Sequence, residues 1–325
     1  MPTFIEVCAG CGGLSSGFIE AGFTPLLLNE LNPTFCESLK KNHPNTNVVA
    51  GCMTSLDLTP YRGRVDVLQG GIPCQAFSHA GERRGLDDPR GQLMVKFNAL
   101  ILQCMPKVIL VENVKGLVTH DSGKTFASIK ELFANNGEYV IYSKVLNAVE
   151  YDVPQKRERV VLVGVHRSVN KTFVYPEPLA RRIVLRDVLS DVPPSPCASY
   201  PARKKAVMDL VPQGGCWVDL PPDVQRAYVG DRVLASGGGK RGIARRLAMD
   251  APSLTLTTSP AQKQTERCHP TETRPLSVRE YARIQTFPDT YVFAGSTTHQ
   301  YTQIGNAVPV RLAYHVATSV KALFD

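Results

Sequence analysis

The chain has 325 residues, a net charge of +8, 43% hydrophobic residues and 20% charged ones. That balance excludes a disordered polymer and allows one large domain with or without a small one. Its longest apolar runs, at 107–111 and 160–165, are too short to cross a bilayer, so no membrane partner is expected, whereas the basic excess favours a polyanion.

The opening Met1-Pro-Thr-Phe-Ile-Glu6 lacks the basic, apolar and small-residue pattern of a signal peptide, so a cytoplasmic protein is expected. Nine cysteines in a chain without an export signal read as free thiols. Cys8-x-x-Cys11 has no second ligand pair at suitable spacing, because Cys268-His269 stands alone, so no metal is expected.

In the first half, β-branched runs at 3–7, 24–29, 47–50, 65–69, 108–111, 140–146 and 160–165 read as strands separated by amphipathic segments. This rhythm predicts an α/β fold with a mostly parallel, doubly wound sheet. The first strand runs into Glu6-Val-Cys-Ala-Gly-Cys-Gly-Gly13, with a helix beginning near Leu14. Glycines here let backbone approach a ligand at the crevice where such sheets bind nucleotides, although a tight turn without a ligand is the plainer alternative. Glu30, closing the next strand, is the acidic residue that commonly takes ribose hydroxyls.

The strand at 65–69 leads into Gly70-Gly-Ile-Pro-Cys-Gln75, which puts the thiol of Cys74 at a strand's carboxyl end. Cysteine is nucleophilic even when little of it is thiolate; a buried structural cysteine is the alternative. The strand at 108–111 then delivers Glu112-Asn-Val114 to the same edge, where either polar residue could instead cap a helix. Val153-Pro-Gln-Lys-Arg-Glu-Arg-Val160 precedes a strand expected to run antiparallel, which would bring Arg159 beside Cys74 and Glu112.

From about residue 176 to 273 proline and glycine become frequent and helical patterning is sparse, which suggests a separate loop-rich module. Helical spacing returns at 277–285, and a last helix is expected after Pro309. The expected division is a catalytic domain over 1–180, completed by 303–325, and a small domain over 181–302.

The ordered motifs Gly-x-Gly-Gly, Pro-Cys-Gln, Glu-Asn-Val, Gln-x-Arg-x-Arg, Arg274-Pro-Leu-Ser-Val-Arg-Glu280 and Gln303-Ile-Gly-Asn-Ala-Val-Pro309 resemble those of the cytosine-C5 DNA methyltransferases. The resemblance spans nearly the whole chain and is closest to the short bacterial enzymes of restriction–modification systems. It implies the Rossmann-like S-adenosylmethionine-dependent methyltransferase fold, double-stranded DNA as partner and S-adenosylhomocysteine as product. It also implies a monomer, with any cognate restriction endonuclease acting separately.

By the same resemblance Cys74 attacks cytosine C6, Glu112 supports protonation at N3, Arg159 contacts O2, and Asn113 and Gln75 hold the loops. Cofactor contacts would come from Cys8, Ala9, Gly10, Gly12, Gly13, Glu30, Leu31, Cys52, Met53, Gly71, Pro73, Leu93, Asn306 and Ala307. The chemistry agrees: C5 is a poor nucleophile until a thiolate adds at C6, and N3 must take a proton as it does so. Neither atom can be reached inside a duplex, so the base must be flipped out. Three positions depart from the family pattern, namely Cys8 for phenylalanine, Leu31 for an aromatic and Cys52 for aspartate.

The region between the Arg-x-Arg and Arg-Pro-Leu motifs reads DNA sequence in this family. Here Ser236-Gly-Gly-Gly-Lys-Arg-Gly-Ile-Ala-Arg-Arg246 offers Lys240, Arg241, Arg245 and Arg246 for guanine edges and phosphates, with a solvated basic loop as the alternative. Ser78, Arg157, Thr255 and Leu256 complete the expected DNA contacts. A tRNA cytosine-C5 methyltransferase of the same fold would share the catalytic residues, but that branch's Cys-Phe-Thr sequence is absent. A silent DNA-binding module would be expected to lack the thiol or the carboxylate, and a nicotinamide dehydrogenase has no role for the set.

Overall fold

Runs of valine, isoleucine and leucine at a period of one suit strands buried on both faces, which is what helix-covered parallel sheets require. The computed structural model describes residues 1–73, 92–235 and 241–325, and it divides into two compact units. Unit 1 comprises Met1–Tyr151, Glu158–Leu179 and Ala307–Asp325; unit 2 comprises Asp152–Arg157 and Ala180–Asn306.

In unit 1 the strands are β1 (Thr3–Val7), β2 (Thr24–Glu30), β3 (Asn47–Ala50), β4 (Val67–Gly70), β5 (Val108–Val114) and β6 (Tyr139–Asn147). The two-residue β7 (Gln155–Lys156) belongs to unit 2, and β8 (Glu158–His166) returns to unit 1. The sheet order is β3-β2-β1-β4-β5-β8-β6. Strands β1 to β5 pair in parallel, and β8 runs antiparallel to β5 and β6. The chain steps outward in opposite directions from β1 and β4, so the switch point lies between them, with Val7 opposite Gly70. The β5 strand outruns its expected end because β8 pairs with it as far as Val114 opposite Arg159.

The crossovers are α1 (Gly13–Glu20), α2 (Pro33–Asn42), α3 (Gln92–Cys104), α4 (Gly116–Thr119) and α5 (Lys124–Ala134). Helix α2 starts cleanly because Asn32 accepts from Thr34 N at 2.9 Å and Pro33 takes a position that needs no donor. Ile5, Leu68, Phe97, Ile109 and Phe133 belong to one fully buried core.

Unit 2 holds α6 (Ala202–Asp209), α7 (Pro222–Val229), α8 (Asp231–Leu234), α9 (Val278–Ile284), α10 (Thr297–Asn306) and a short parallel pair of β7 with β9 (Ser253–Leu254). Its small core gathers Met208, Val211, Trp217, Ile243 and Cys268. Helices α6 to α8 fall in the stretch read as loop-rich. The Ala202-Arg-Lys-Lys-Ala206 run has helix-forming residues, but only Met208 of α6 is buried, so no apolar stripe announced it. At α9, Ser277 Oγ accepts from Glu280 N while Ser277 N donates to Glu280 Oε2 at 2.6 Å, a reciprocal cap. Arg274 grips both oxygens of Glu280 at 2.8 Å, so part of the Arg-Pro-Leu motif is a clasp within this unit.

The chain then re-enters unit 1 as α11 (Val310–Lys321), which lies against α1. The helices approach so closely at Gly17 that a Cβ there would stand 2.4 Å from Ala313 Cβ and 2.5 Å from Tyr314 N. Among the described residues no helix is long and apolar enough to cross a membrane. Gly17→Ala is expected to destabilise the protein by about 1–3 kcal/mol through overpacking; an unchanged midpoint in thermal circular dichroism would show that α11 can shift without cost.

Candidate active site

Three buried carboxylates, Glu6, Glu30 and Glu112, stand near the carboxyl edge of the unit 1 sheet, at the ends of β1, β2 and β5. Each is held differently. Glu30 accepts from Gly10 N through Oε2 and from Asn32 N through Oε1, both at 2.8 Å, which fixes its orientation and leaves each oxygen a further lone pair. The turn that brings Gly10 there has left-handed backbone at Cys8, Gly10 and Gly12. At Gly13 a Cβ would meet Val308 O at 2.2 Å, so that glycine serves packing as much as any ligand. Gly12 places no side chain over the first turn of α1, leaving the amide-rich, positive end of an uncapped helix at the crevice.

Around Glu30 lie the residues that depart from the family pattern. Leu31 is 66% exposed, an apolar platform in the open. Cys52 is exposed, and the Thr54 hydroxyl, donating to its sulfur at 3.1 Å, holds the thiol below its ordinary range. Cys8 donates to Met53 Sδ at 3.6 Å, and burial, with the charge of Glu30, pushes its thiol up to about 12. It therefore stays neutral. Ala9 and Met53 are buried, while Leu93 at the start of α3 and Ala307 are half-buried. Asn306 closes α10 in unit 2.

Glu112 is paired with Arg159, Nε to Oε1 at 2.9 Å, with both side chains largely enclosed. Arg159 Nη1 also donates to Glu158 O at 2.8 Å. A Cβ at Gly71 would lie 3.4 Å from Glu112 Oε2, so the backbone leading toward position 74 passes against this carboxylate. Asn113 Nδ2 donates to Ile72 O at 2.8 Å and ties the end of β5 to the same segment, just before exposed Pro73. Cys74, Gln75 and Ser78 lie outside the described residues, as does Lys240.

Glu6 went unassigned in the sequence. It accepts from Ser15 Oγ and, at 2.9 Å, from Gln69 Nε2, linking α1 to the strand that leads into the 70–75 segment. Burial, reinforced by the charges of Glu30 and Glu112, pushes its carboxyl up to about 8 against the pull of those hydrogen bonds. Protonated Glu6 has a hydrogen to give. Gln69 Oε1, buried and without a partner among the described residues, is the acceptor a rotated amide would present. An acid on an otherwise apolar strand, two residues before the glycine turn, was the available signal.

Three of the residues expected to contact DNA lie buried and make internal hydrogen bonds. Arg157 is buried, donating to Leu256 O at 3.1 Å and Gly305 O at 3.0 Å. Arg246 is buried as well: its donors go to Val211 O, His269 O, Glu272 O, Met208 O and Thr273 Oγ1. These bonds use all five guanidinium hydrogens. The Leu256 side chain belongs to the core, and its N–H donates to Gln155 Oε1 at 2.9 Å. Arg241 is exposed; Arg245 and Thr255 are half-buried, with Thr255 Oγ1 donating to Lys156 O.

Comparison with known proteins identifies the family and the fold. A model of the C-5 cytosine-specific DNA methylase family matches residues 2–322. The Type II methyltransferase M.Eco47II of Escherichia coli is 49% identical over 99% of this chain and 79% of its own length. M.Sau96I of Staphylococcus aureus is 47% identical over 97% of this chain and 74% of its own. The Entamoeba histolytica methyltransferase EhMeth superposes with a TM-score of 0.72 at 15% identity, covering 100% of this chain and 98% of that one, which speaks for the fold.

Because folding raises the Glu6 value from 4.5 to about 8, its contribution to stability is whole below the unfolded value and is lost as pH rises through about 8. Glu6→Gln is therefore expected to flatten the unfolding free energy between about pH 5 and about pH 9. Chemical denaturation across that range checks it, and a wild-type curve already flat there contradicts it. Arg246→Ala should cost at least about 2 kcal/mol, because it strands buried carbonyls, whereas Arg245→Ala, which removes bonds to Arg241 O and Gly214 O from a half-buried position, should lower the thermal midpoint less. Equal midpoints for the two variants would restore Arg246 as a candidate DNA contact.

Proposed function

This chain belongs to the C-5 cytosine-specific DNA methylase family, and from that membership we propose how its residues divide the work of methylating cytosine in duplex DNA. The observation that carries the reading is the enclosed Glu112–Arg159 pair beside the backbone of Gly71. A carboxylate and a guanidinium fixed side by side offer an acceptor for the N3 and amino edge of cytosine and donors for its O2. Type II restriction–modification is the setting that the relatives' names favour, and they disfavour the tRNA alternative. We take the enzyme to act as a cytoplasmic monomer, with any restriction endonuclease working separately.

The residues at the crevice fit S-adenosylmethionine, the family's methyl donor. Glu30 presents an anchored carboxylate for ribose hydroxyls, exposed Leu31 an apolar face for a purine, and the uncapped start of α1 a seat for a carboxylate. When bound, that cofactor supplies an electrophilic methyl group on a sulfonium. The Cys74 sulfur adds to C6 of a cytosine turned out of the duplex, and Glu112 supports a proton at N3, which withdraws the electron pair released by addition. The C5 position becomes nucleophilic; with the cofactor bound it would take the methyl group, leaving S-adenosylhomocysteine, and its proton would then pass to solvent as the carbon–sulfur bond breaks and the thiolate of Cys74 is restored. Arg159 orients both Glu112 and the base. Unit 2 carries the recognition of sequence.

A duplex with 5-fluorocytosine at the target position tests the assignment, since fluorine cannot leave C5 as a cation and elimination stops. With S-adenosylmethionine the protein is expected to form a denaturation-resistant complex that peptide mass spectrometry places on Cys74 and that Cys74→Ser abolishes. Glu112→Gln should form it roughly 10²–10⁴ times more slowly. An adduct on Cys8 or Cys52, or none despite methylation of ordinary DNA, would overturn the assignment of the nucleophile.

A further inference from the structure

Unit 2 contains a cavity of about 410 Å³ lined by Pro201, Arg203, Lys204, Ala227, Tyr228 and Lys263. Two of its cations are held in place by the surrounding fold. Lys204 Nζ is 2.6 Å from a carboxylate oxygen of Glu266, a fully buried residue, donates to Ala261 O at 2.7 Å, and lies 4.9 Å from the centre of the Tyr200 ring. Lys263 donates to Tyr228 O at 3.1 Å and stands 5.1 Å from the centre of the Tyr228 ring. Arg203 is exposed, and among the described residues neither it nor Lys263 pairs with a carboxylate. Three cations thus face one acid. Arg203 and Lys204 also occupy the first turn of α6, which contains no acidic residue, so they oppose the helix dipole and raise the positive potential further. Because Lys263 already covers the Tyr228 ring, the cavity offers charge more than a free stacking face.

We propose that this cavity seats a backbone phosphate of the DNA duplex, with Arg203 and Lys263 as its ligands and Lys204, pinned by Glu266, as the wall that fixes their spacing. The proposal rests on the reading of the chain as a DNA methyltransferase. With Arg157 and Arg246 consumed by internal hydrogen bonds, cations such as these remain for the counterion release that drives binding to DNA. A phosphate seat of this kind sets position along the duplex and carries no sequence information.

The test uses the full chain, a duplex bearing the target site and a second duplex without it, with affinity measured by fluorescence anisotropy over a range of salt. For Arg203→Ala and Lys263→Ala, each at an exposed position, the slope of log affinity on log salt is expected to fall by about 0.9 for each phosphate that is no longer neutralised, equally on both duplexes. The KM for DNA should rise with kcat and cofactor affinity unchanged. Ethylation interference should reveal one phosphate whose modification weakens the wild type and leaves the double variant unaffected. Unchanged slopes in the double variant overturn the proposal. So does protection of Lys263 from acylation by inorganic phosphate but not by DNA, which would mark a site for the free anion. Methylation by the unaltered protein is scored separately, so failure of the phosphate seat is distinguishable from failure of the activity reading.

Discussion

The side-by-side endings of β1 and β4 govern the rest of unit 1. Val7 faces Gly70 across the parallel pair, and a Cβ on Gly70 would stand 2.7 Å from Val7 O, so the two strands can finish together only with glycine there. Beyond this point one chain segment becomes the glycine turn and the other becomes the run toward Cys74. The glycine turn and the segment that leads toward Cys74 therefore start as neighbours before any side chain is considered, which is the general consequence of a topological switch point.

That crowding brings three acids to one edge, and the fold stabilises each by a different means. Glu6 has only neutral partners and is buried, so it resists ionisation. Glu30 takes two backbone amides, and Glu112 takes a guanidinium. A neutral acid can bridge elements without repelling its neighbours, whereas the other two side chains are oriented by the donors they accept from.

Unit 2 shows why positive charge in a sequence does not translate directly into contact with nucleic acid. Arginine has five donors, and in a small module with few strands they substitute for missing secondary structure by gathering carbonyls from distant segments, as Arg246 does for Met208, Val211, His269 and Glu272. Arg203 and Lys263 of the 410 Å³ cavity differ because they are exposed, whereas its Lys204 is tied to buried Glu266.

Much of this was legible in the residues. The strands of unit 1, the antiparallel return of β8 and the helices after Ser277 and Pro309 follow from local hydrophobic period and capping, which act over a few residues. Ordered motifs likewise announced the family, because the chemistry demands particular side chains at strand ends. What local pattern could not carry is the direction in which a long polar side chain turns. Arg157 and Arg159 sit two residues apart in the same motif, yet one is buried against Leu256 and Gly305 while the other grips Glu112. Only the tertiary structure decides this, since burial of a guanidinium depends on carbonyls brought together from positions about a hundred residues distant or more. The same holds for Glu6, whose raised pKa arises from desolvation by burial and from two acids on other strands.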